Sequence, residues 1–274
     1  MNDSTAVLPT LKSPPSEMES GVRDASRLEG SVVRVTELTE TDRAGMYGLL
    51  EMYFARTTRQ QFDGDLAEKE WAILLRDSES GGVQGFSTLM RFSVEIENQP
   101  VVAFFSGDTI IAREYWGETT LPRLWGRHVF RLADEIHDAR VYWFLICSGY
   151  KTYRFLPVFF REFYPHCERP MPAAIRQLLD TLGRLKFKNE YDAGRGVVRF
   201  AHATPLHEGV ADITEQRLRD PHVAFFARAN PGHARGDELA CLCEITRGNL
   251  TPAGRRMVGE PSHGSSDHAA TVSE

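Results

Sequence analysis

The stretch VVAFFSGDTIIAREYWGETTLPRL, residues 101–124, decides how this chain is read. Its first eleven residues form an apolar, strand-like run, which breaks into a short polar loop containing one glycine, Gly117. A helical pattern follows, with Leu121, Leu124, Val129 and Leu132 on its apolar side. Strand, tight loop and helix start together offer free backbone N–H groups and the positive end of a helix dipole, an arrangement suited to a phosphate.

Outward from this stretch the pattern predicts a mixed layer of strands and helices. Upstream, SVVRVTEL reads as a short strand and TETDRAGMYGLLEMYFAR as a helix, with Thr39 as N-cap and Glu40 and Asp42 in an acidic first turn. Residues 62–77 read as a second helix, and residues 81–112 as two or three antiparallel strands with a turn at Glu97-Asn98-Gln99-Pro100. Downstream, the helix runs over residues 121–138, and VYWFLICS is an apolar strand long enough to be central. The helix-like run 149–165 carries an awkward interior Pro157. Residues 170–258 are less regular: a helix over 173–185, a hairpin over 193–201, a helix or loop over 214–229, and a final strand over 238–245. This order argues an α/β fold in α+β layers, not an alternating βαβ fold. The expected divisions are a disordered leader (1–29), a core (30–168), an extension that completes or caps it (169–258) and a disordered tail (259–274).

Composition narrows the function classes. A formal net charge of −6 over 274 residues gives no footprint for nucleic acid. No apolar run approaches the roughly 20 residues of a membrane-spanning helix. The first twenty residues lack the basic start and apolar core of a secretory signal, so the expected location is cytoplasmic. Four cysteines are too few and too badly spaced for a disulfide scaffold. No metal site is expected. Cys241 and Cys243 would share one face of a strand at the wrong spacing for a zinc knuckle, and His222 and His233 are eleven apart with no evident third ligand.

At Glu114-Tyr115-Trp116-Gly117-Glu118-Thr119-Thr120-Leu121 the chain resembles the GNAT acyltransferase superfamily, whose strand–loop–helix grips coenzyme A. Tyr115 and Gly117 match a frequent form of the family loop. Trp116 stands where a basic residue is usual, Thr119 replaces the key glycine, and Leu121 replaces the last small residue. Side chains there would crowd a pyrophosphate, although Thr119 and Thr120 can donate hydroxyl bonds and Arg113 or Arg123 can supply charge. The resemblance covers residues 31–165. It implies a GNAT-like mixed, mostly antiparallel sheet flanked by helices. It further implies an N-acyltransferase that passes an acyl group from a thioester to a small-molecule amine by direct attack. The weak loop motif and the longer body are similar to acyl-homoserine-lactone and N-acyl amino acid synthases, which commonly draw on acyl carrier protein. The implied co-substrate is therefore acyl-CoA or acyl carrier protein, with no tightly bound cofactor. The cofactor-binding residues would be Ile111, Ala112, Arg113, Tyr115, Trp116, Gly117, Glu118, Thr119 and Thr120.

Acyl transfer to an amine needs a base, a polarised thioester carbonyl and a proton donor for the leaving thiolate. Asp108, near the end of the 101–111 strand, and Glu114, at the loop entrance, are the candidate bases; both residue types are also ordinary in turns and loops. Tyr150 and Tyr153, at the corner after the second strand, are the candidate acids. Lys151 and Arg154 are candidate substrate contacts that would equally serve as snorkelling cations. Arg235, in a Pro/Gly-punctuated loop, would recognise a carboxylate. Phe155, Phe159, Phe160, Phe163 and Tyr164 read as core, or as the lining for an acyl chain. Two rival readings stand beside this one. One is a non-catalytic GNAT-like protein that binds a lipid or a protein partner. The other is a cysteine hydrolase built on Cys147 with His166 or His128, which burial of the thiol opposes.

Overall fold

The computed structural model describes residues 27–260. Most of the expected leader and tail lies outside these residues. Within them, eight strands make one sheet: β1 (Leu28–Arg34), β2 (Trp71–Asp77), β3 (Val83–Ile96), β4 (Gln99–Ile111), β5 (Arg140–Cys147), β6 (Tyr191–Asp192), β7 (Val197–Val198) and β8 (Glu238–Glu244). Their order is β1-β2-β3-β4-β5-β8-β7-β6, and every neighbouring pair is antiparallel except β4 and β5. The sheet is thus mixed and mostly antiparallel with helices on both faces, as the resemblance implies.

Side-chain alternation decides which helices cover which face. Ile73, Leu89, Phe104, Trp143, Leu145 and Cys241 point to the face covered by α3 (Thr120–Asp134), α4 (Tyr150–Tyr153), α5 (Phe155–Phe159), α7 (Pro221–Ala229) and α8 (Pro252–Val258). Ala72, Leu74, Phe86, Ala103, Phe105 and Phe144 point to the other, covered by α1 (Glu40–Tyr53), α2 (Arg59–Ala67) and α6 (Ala173–Phe187). Cys241 and Cys243 share a face, as their spacing requires.

Local chemistry explains most element ends. Thr39 accepts from Asp42 N–H while the Asp42 carboxylate accepts from Thr39 N–H, a reciprocal cap that starts α1. Glu97 and Asn98 both take positive φ (50° and 61°), so β3 and β4 meet in a two-residue turn whose twist matches the strands, and Gln99 and Pro100 already belong to β4. The expected helix over 62–77 is corrected: α2 ends at Ala67 and WAILL is a buried strand. A short apolar run without clear alternation fits a buried helix or a two-face-buried strand equally, and sheet pairing on both sides decides for the strand. Pro157 sits at the third position of a separate short helix, where its missing N–H has no intrahelical partner in any case.

The feature that builds the site is a bulge in β4. Ser87 pairs with Thr109 and Leu89 with Ser106, so Gly107 and Asp108 together oppose Thr88. The parallel pairing of β4 with β5 stops at the same place, at Ser106↔Leu145, while β5 goes on to pair with β8. Beyond that point the two central strands part. A Cβ on Gly107 would sit 2.5 Å from Thr88 Oγ1 and 2.7 Å from Lys69 Cε, and Lys69 has no exposed side-chain area through which to retreat. Gly107→Ala is expected to cost about 1–3 kcal/mol through this overpacking. Gly48→Ala, in α1 with nothing within 4 Å of the new methyl, should be neutral or stabilising by about 1 kcal/mol. Urea midpoints of the two variants check the contrast, and equal midpoints would contradict it.

Candidate active site

On the α3 face, the gap between β4 and β5 opens into a cleft with ≈ 500 Å³ of empty space, its open mouth included. Ser106, Gly107 and Thr109 line it from β4, Leu145 and Ile146 from β5, Leu121, Pro122 and Trp125 from α3, and Thr152, Phe155 and Phe159 from the helices after β5. The walls are chiefly apolar. The polar feature is Ser106, which is buried: Nε1–H of Trp125 (3.0 Å) and Nε1–H of Trp143 (2.9 Å) both donate to its Oγ. The two indoles lie with ring centroids 4.3 Å apart, so each holds the other in place. With both lone pairs occupied, the serine oxygen is a poor nucleophile, and its own O–H becomes a strengthened donor.

On the α2 face of the same gap sits a group of charges. Asp108 is partly buried, and its carboxyl is pushed up to about 7 by desolvation first and the nearby Asp65 second, with Lys69 opposing. Glu238, the first residue of β8, is pushed up to about 8 by desolvation, with further contributions from Asp108 and Asp65, while a hydrogen bond with Ser148 opposes the rise. Lys69 is buried, held by Asp65 Oδ2 at 2.6 Å and donating to Asp65 O at 3.0 Å. A carboxyl poised near neutrality is what proton transfer at ordinary pH requires.

The loop after β4 is fastened from inside. Tyr115 is buried and its hydroxyl donates to Asp77 Oδ2 (2.9 Å), while Trp116 Nε1–H donates to Ile111 O (2.8 Å) and Ala112 N–H to Gln84 O (2.8 Å). Ile111, Ala112 and Tyr115 are thereby committed to shaping the loop. Gly117 takes φ +103°, a left-handed turn that a side chain would strain, and its Cβ position faces open space. Thr119 precedes α3 and makes no side-chain cap, so the N–H groups of Thr120 and Leu121 have no intrahelical acceptor, and Pro122 has none to offer. Glu118 is half-buried beside them.

The structure brings Lys151 to this loop. Its Nζ stands 3.5 Å from the centroid of the Trp116 ring, and Arg113 lies over the same ring at 5.3 Å while donating to Gly209 O (3.2 Å). Burial pushes Lys151 down to about 8, and Arg113 and Arg217 push the same way against a weaker pull from Asp212. Lys151 and Arg113 share one indole and Arg217 adds its charge to theirs, so an anion placed among them would relieve their repulsion. Tyr150 begins α4 next to this cluster, buried, with its hydroxyl raised by burial.

Other sequence candidates are elsewhere. Tyr153 is fully buried among Phe163, Phe225 and Phe226, and its hydroxyl donates to Pro165 O (2.9 Å). Arg154 pairs with Asp220, the N-cap of α7, at 3.2 Å. Glu114 and Arg235 are exposed, each in a short 3-10 turn. Of the aromatic run, Phe155 and Phe159 reach the cleft, whereas Phe160 and Phe163 are core. Cys147 is buried 3.9 Å from Cys241 with its thiol raised; His128 packs on Trp71 and His166 on Phe163, so no base stands beside it. Sequence reading missed Ser106, its two tryptophans and Glu238. One hydroxyl in an otherwise apolar VVAFFS run was the available signal for Ser106; Glu238 joins Asp108 only through the sheet order.

No protein-family model matches the chain, and no curated protein matches its sequence. Among solved structures, it is similar to a GNAT family N-acetyltransferase from Escherichia coli in complex with CoA (16% identity, TM-score 0.36, over 49% of this chain and 71% of that one). It is similar also to glucosamine-6-phosphate N-acetyltransferase from Arabidopsis thaliana (12%, 0.35, over 47% and 87%). A third is Saccharomyces cerevisiae N-myristoyltransferase with bound myristoyl-CoA (11%, 0.35, over 52% and 35%).

The raised carboxyls set a sign for stability against pH. Asp108 and Glu238 hold protons more tightly when folded, so their contribution is complete below about pH 4 and is lost as pH rises through about 7 to 8. The Asp108→Asn, Glu238→Gln double variant should therefore lose less Tm than the parent between about pH 5 and pH 8. Calorimetry across that range tests this, and parallel curves would show that the two groups are not raised.

Proposed function

We propose that the protein is an N-acyltransferase that passes an acyl group from a thioester to a small-molecule amine by direct attack. The observation that carries this reading is the parting of β4 and β5, with a doubly held hydroxyl on one face of the gap and paired raised carboxyls on the other. A thioester carbonyl seated in the gap would accept from the Ser106 O–H, which strengthens as charge develops on the oxygen. The amine would approach from the α2 face, where Asp108, coupled to Glu238, takes its proton directly or through one water. Attack forms the C–N bond; collapse breaks the C–S bond, and the leaving thiolate takes a proton, for which Tyr150 is the residue we assign. The N–H groups of Thr120 and Leu121, the Thr119 and Thr120 hydroxyls, and the cations Arg113, Lys151 and Arg217 would receive the phosphates of the donor. Tyr153, Arg154 and Arg235 have no part in this scheme.

The apolar cleft with Phe155 and Phe159 stacked at 5.8 Å favours a donor with an apolar acyl chain. A thermal-shift series with CoA, acetyl-CoA, long-chain acyl-CoA and an acylated carrier protein names the donor. A rise in Tm with one of them supports the reading, because a ligand that binds only the folded state stabilises it. No rise with any would overturn it in favour of a non-catalytic protein. With the donor known, Ser106→Ala should lower kcat about 100-fold while leaving the affinity for free CoA unchanged. Asp108→Asn should remove the rise in rate around pH 7, and Tyr153→Phe should keep the parent rate.

A further inference from the structure

Outside the cleft, side chains from two distant parts of the sequence come together, with Cys167 as the link between them. The Cys167 Sγ lies 3.4 Å from His222 Nδ1. The His166 and His222 rings stand perpendicular with centroids 5.7 Å apart. Ligand atoms of His166, Cys167 and Glu168 all fall within 4.8 Å of one another. We propose that His166, Cys167 and His222, with the exposed Glu168 carboxylate closing the set, form a binding site for a divalent zinc-like cation.

The spacing supports this. A sulfur at about 2.3 Å and a nitrogen at about 2.0 Å on one tetrahedral ion stand about 3.5 Å apart, close to the Cys167–His222 separation. Two nitrogens, one sulfur and one carboxylate oxygen suit zinc better than the hard cations, which prefer oxygen alone. Both ligand-bearing segments are held in place. Tyr164 pairs with Leu242 in both directions (N–H to O at 2.8 Å and 2.7 Å), and Pro165 O accepts from Tyr153. On the other side Asp220 caps α7 by accepting from His222 N–H at 2.9 Å, and Arg154 is neutralised against that same aspartate. His166 Nδ1 now accepts from Glu168 N–H (3.0 Å), and the cation would take that lone pair in its place. Thiolate and carboxylate together balance the charge of the ion, and the thiol proton passes to solvent. The site would tie the segment before α6 to α7.

Cobalt is the probe, since a cobalt–thiolate bond absorbs in the near ultraviolet and a tetrahedral site adds visible bands. The full chain, stripped with a chelator, should bind one Co²⁺ with both signatures, and Zn²⁺ should abolish them. Cys167 is the one cysteine that is not fully buried, so a thiolate band points to it. Cys167→Ser should remove that band, and His222→Gln should weaken binding at least tenfold. Should either variant fail to fold, the parent titration still decides. Its lack of a thiolate band, or binding unchanged in both variants, would overturn the site and leave a plain Cys–His hydrogen bond.

Discussion

One extra residue in β4 governs the centre of this molecule. Had Gly107 and Asp108 kept the register of Ser106, β4 and β5 would have stayed paired along their length and no gap would exist. The bulge bends β4 away just where pairing to β5 ends, so backbone groups on that side of β4 lose their strand partner. Ser106 is the last paired residue before the gap, and two indoles from α3 and β5 fix its hydroxyl there. The bulge also places Asp108 on the α2 face, beside Asp65 and Lys69. A gap between the strands, a fixed donor on one face and a carboxyl on the other all follow from that single insertion.

Charge is sorted about the gap in a way that composition hides. A net charge of −6 says nothing of local sign. Beside Trp116, burial first and the cations Arg113 and Arg217 second pull Lys151 down to about 8. Across the sheet, desolvation first and carboxylate repulsion after it lift Asp108 to about 7 and Glu238 to about 8. Opposite charge is present but outweighed in each cluster: Asp212 pulls weakly on Lys151 at the loop, and Lys69, paired with Asp65, opposes the rise of Asp108 at the acids. Elsewhere opposite charges pair outright, as Arg140 does with Glu244 and Arg76 with Asp42.

The sequence made the strand–loop–helix of residues 101–124 legible because each part has a local signature: an apolar run, a left-handed glycine, an amphipathic helix. Asp108 and the loop could be found the same way. Trp71 to Leu75 could not, since five apolar residues carry no period that separates helix from strand, and pairing with β1 and β3 decides. Tyr153 illustrates the converse limit. At a strand-to-helix corner it looks like a donor to substrate, but helical spacing cannot tell which of two nearby tyrosines turns inward, and Pro165 O settles it. Glu238 and the His166–Cys167–His222 meeting were out of reach for another reason. Their partners are separated by long stretches of chain and come together only through sheet order and helix docking.

The C-terminal third is therefore no appendage to the centre. β8 covers the free edge of β5 with six paired residues, which lets β5 stay straight and buried while β4 leaves it. Its first residue brings Glu238 beside Asp108 at the mouth of the gap, and its Leu242 pins Tyr164, the start of the segment that carries His166 and Cys167. A carboxyl alone at Asp108 would be raised mainly by desolvation. Asp65 adds to that rise, and Glu238, contributed by a different strand, is itself raised in part by Asp108. The acidic side of the gap therefore draws on β8 as well as on β4.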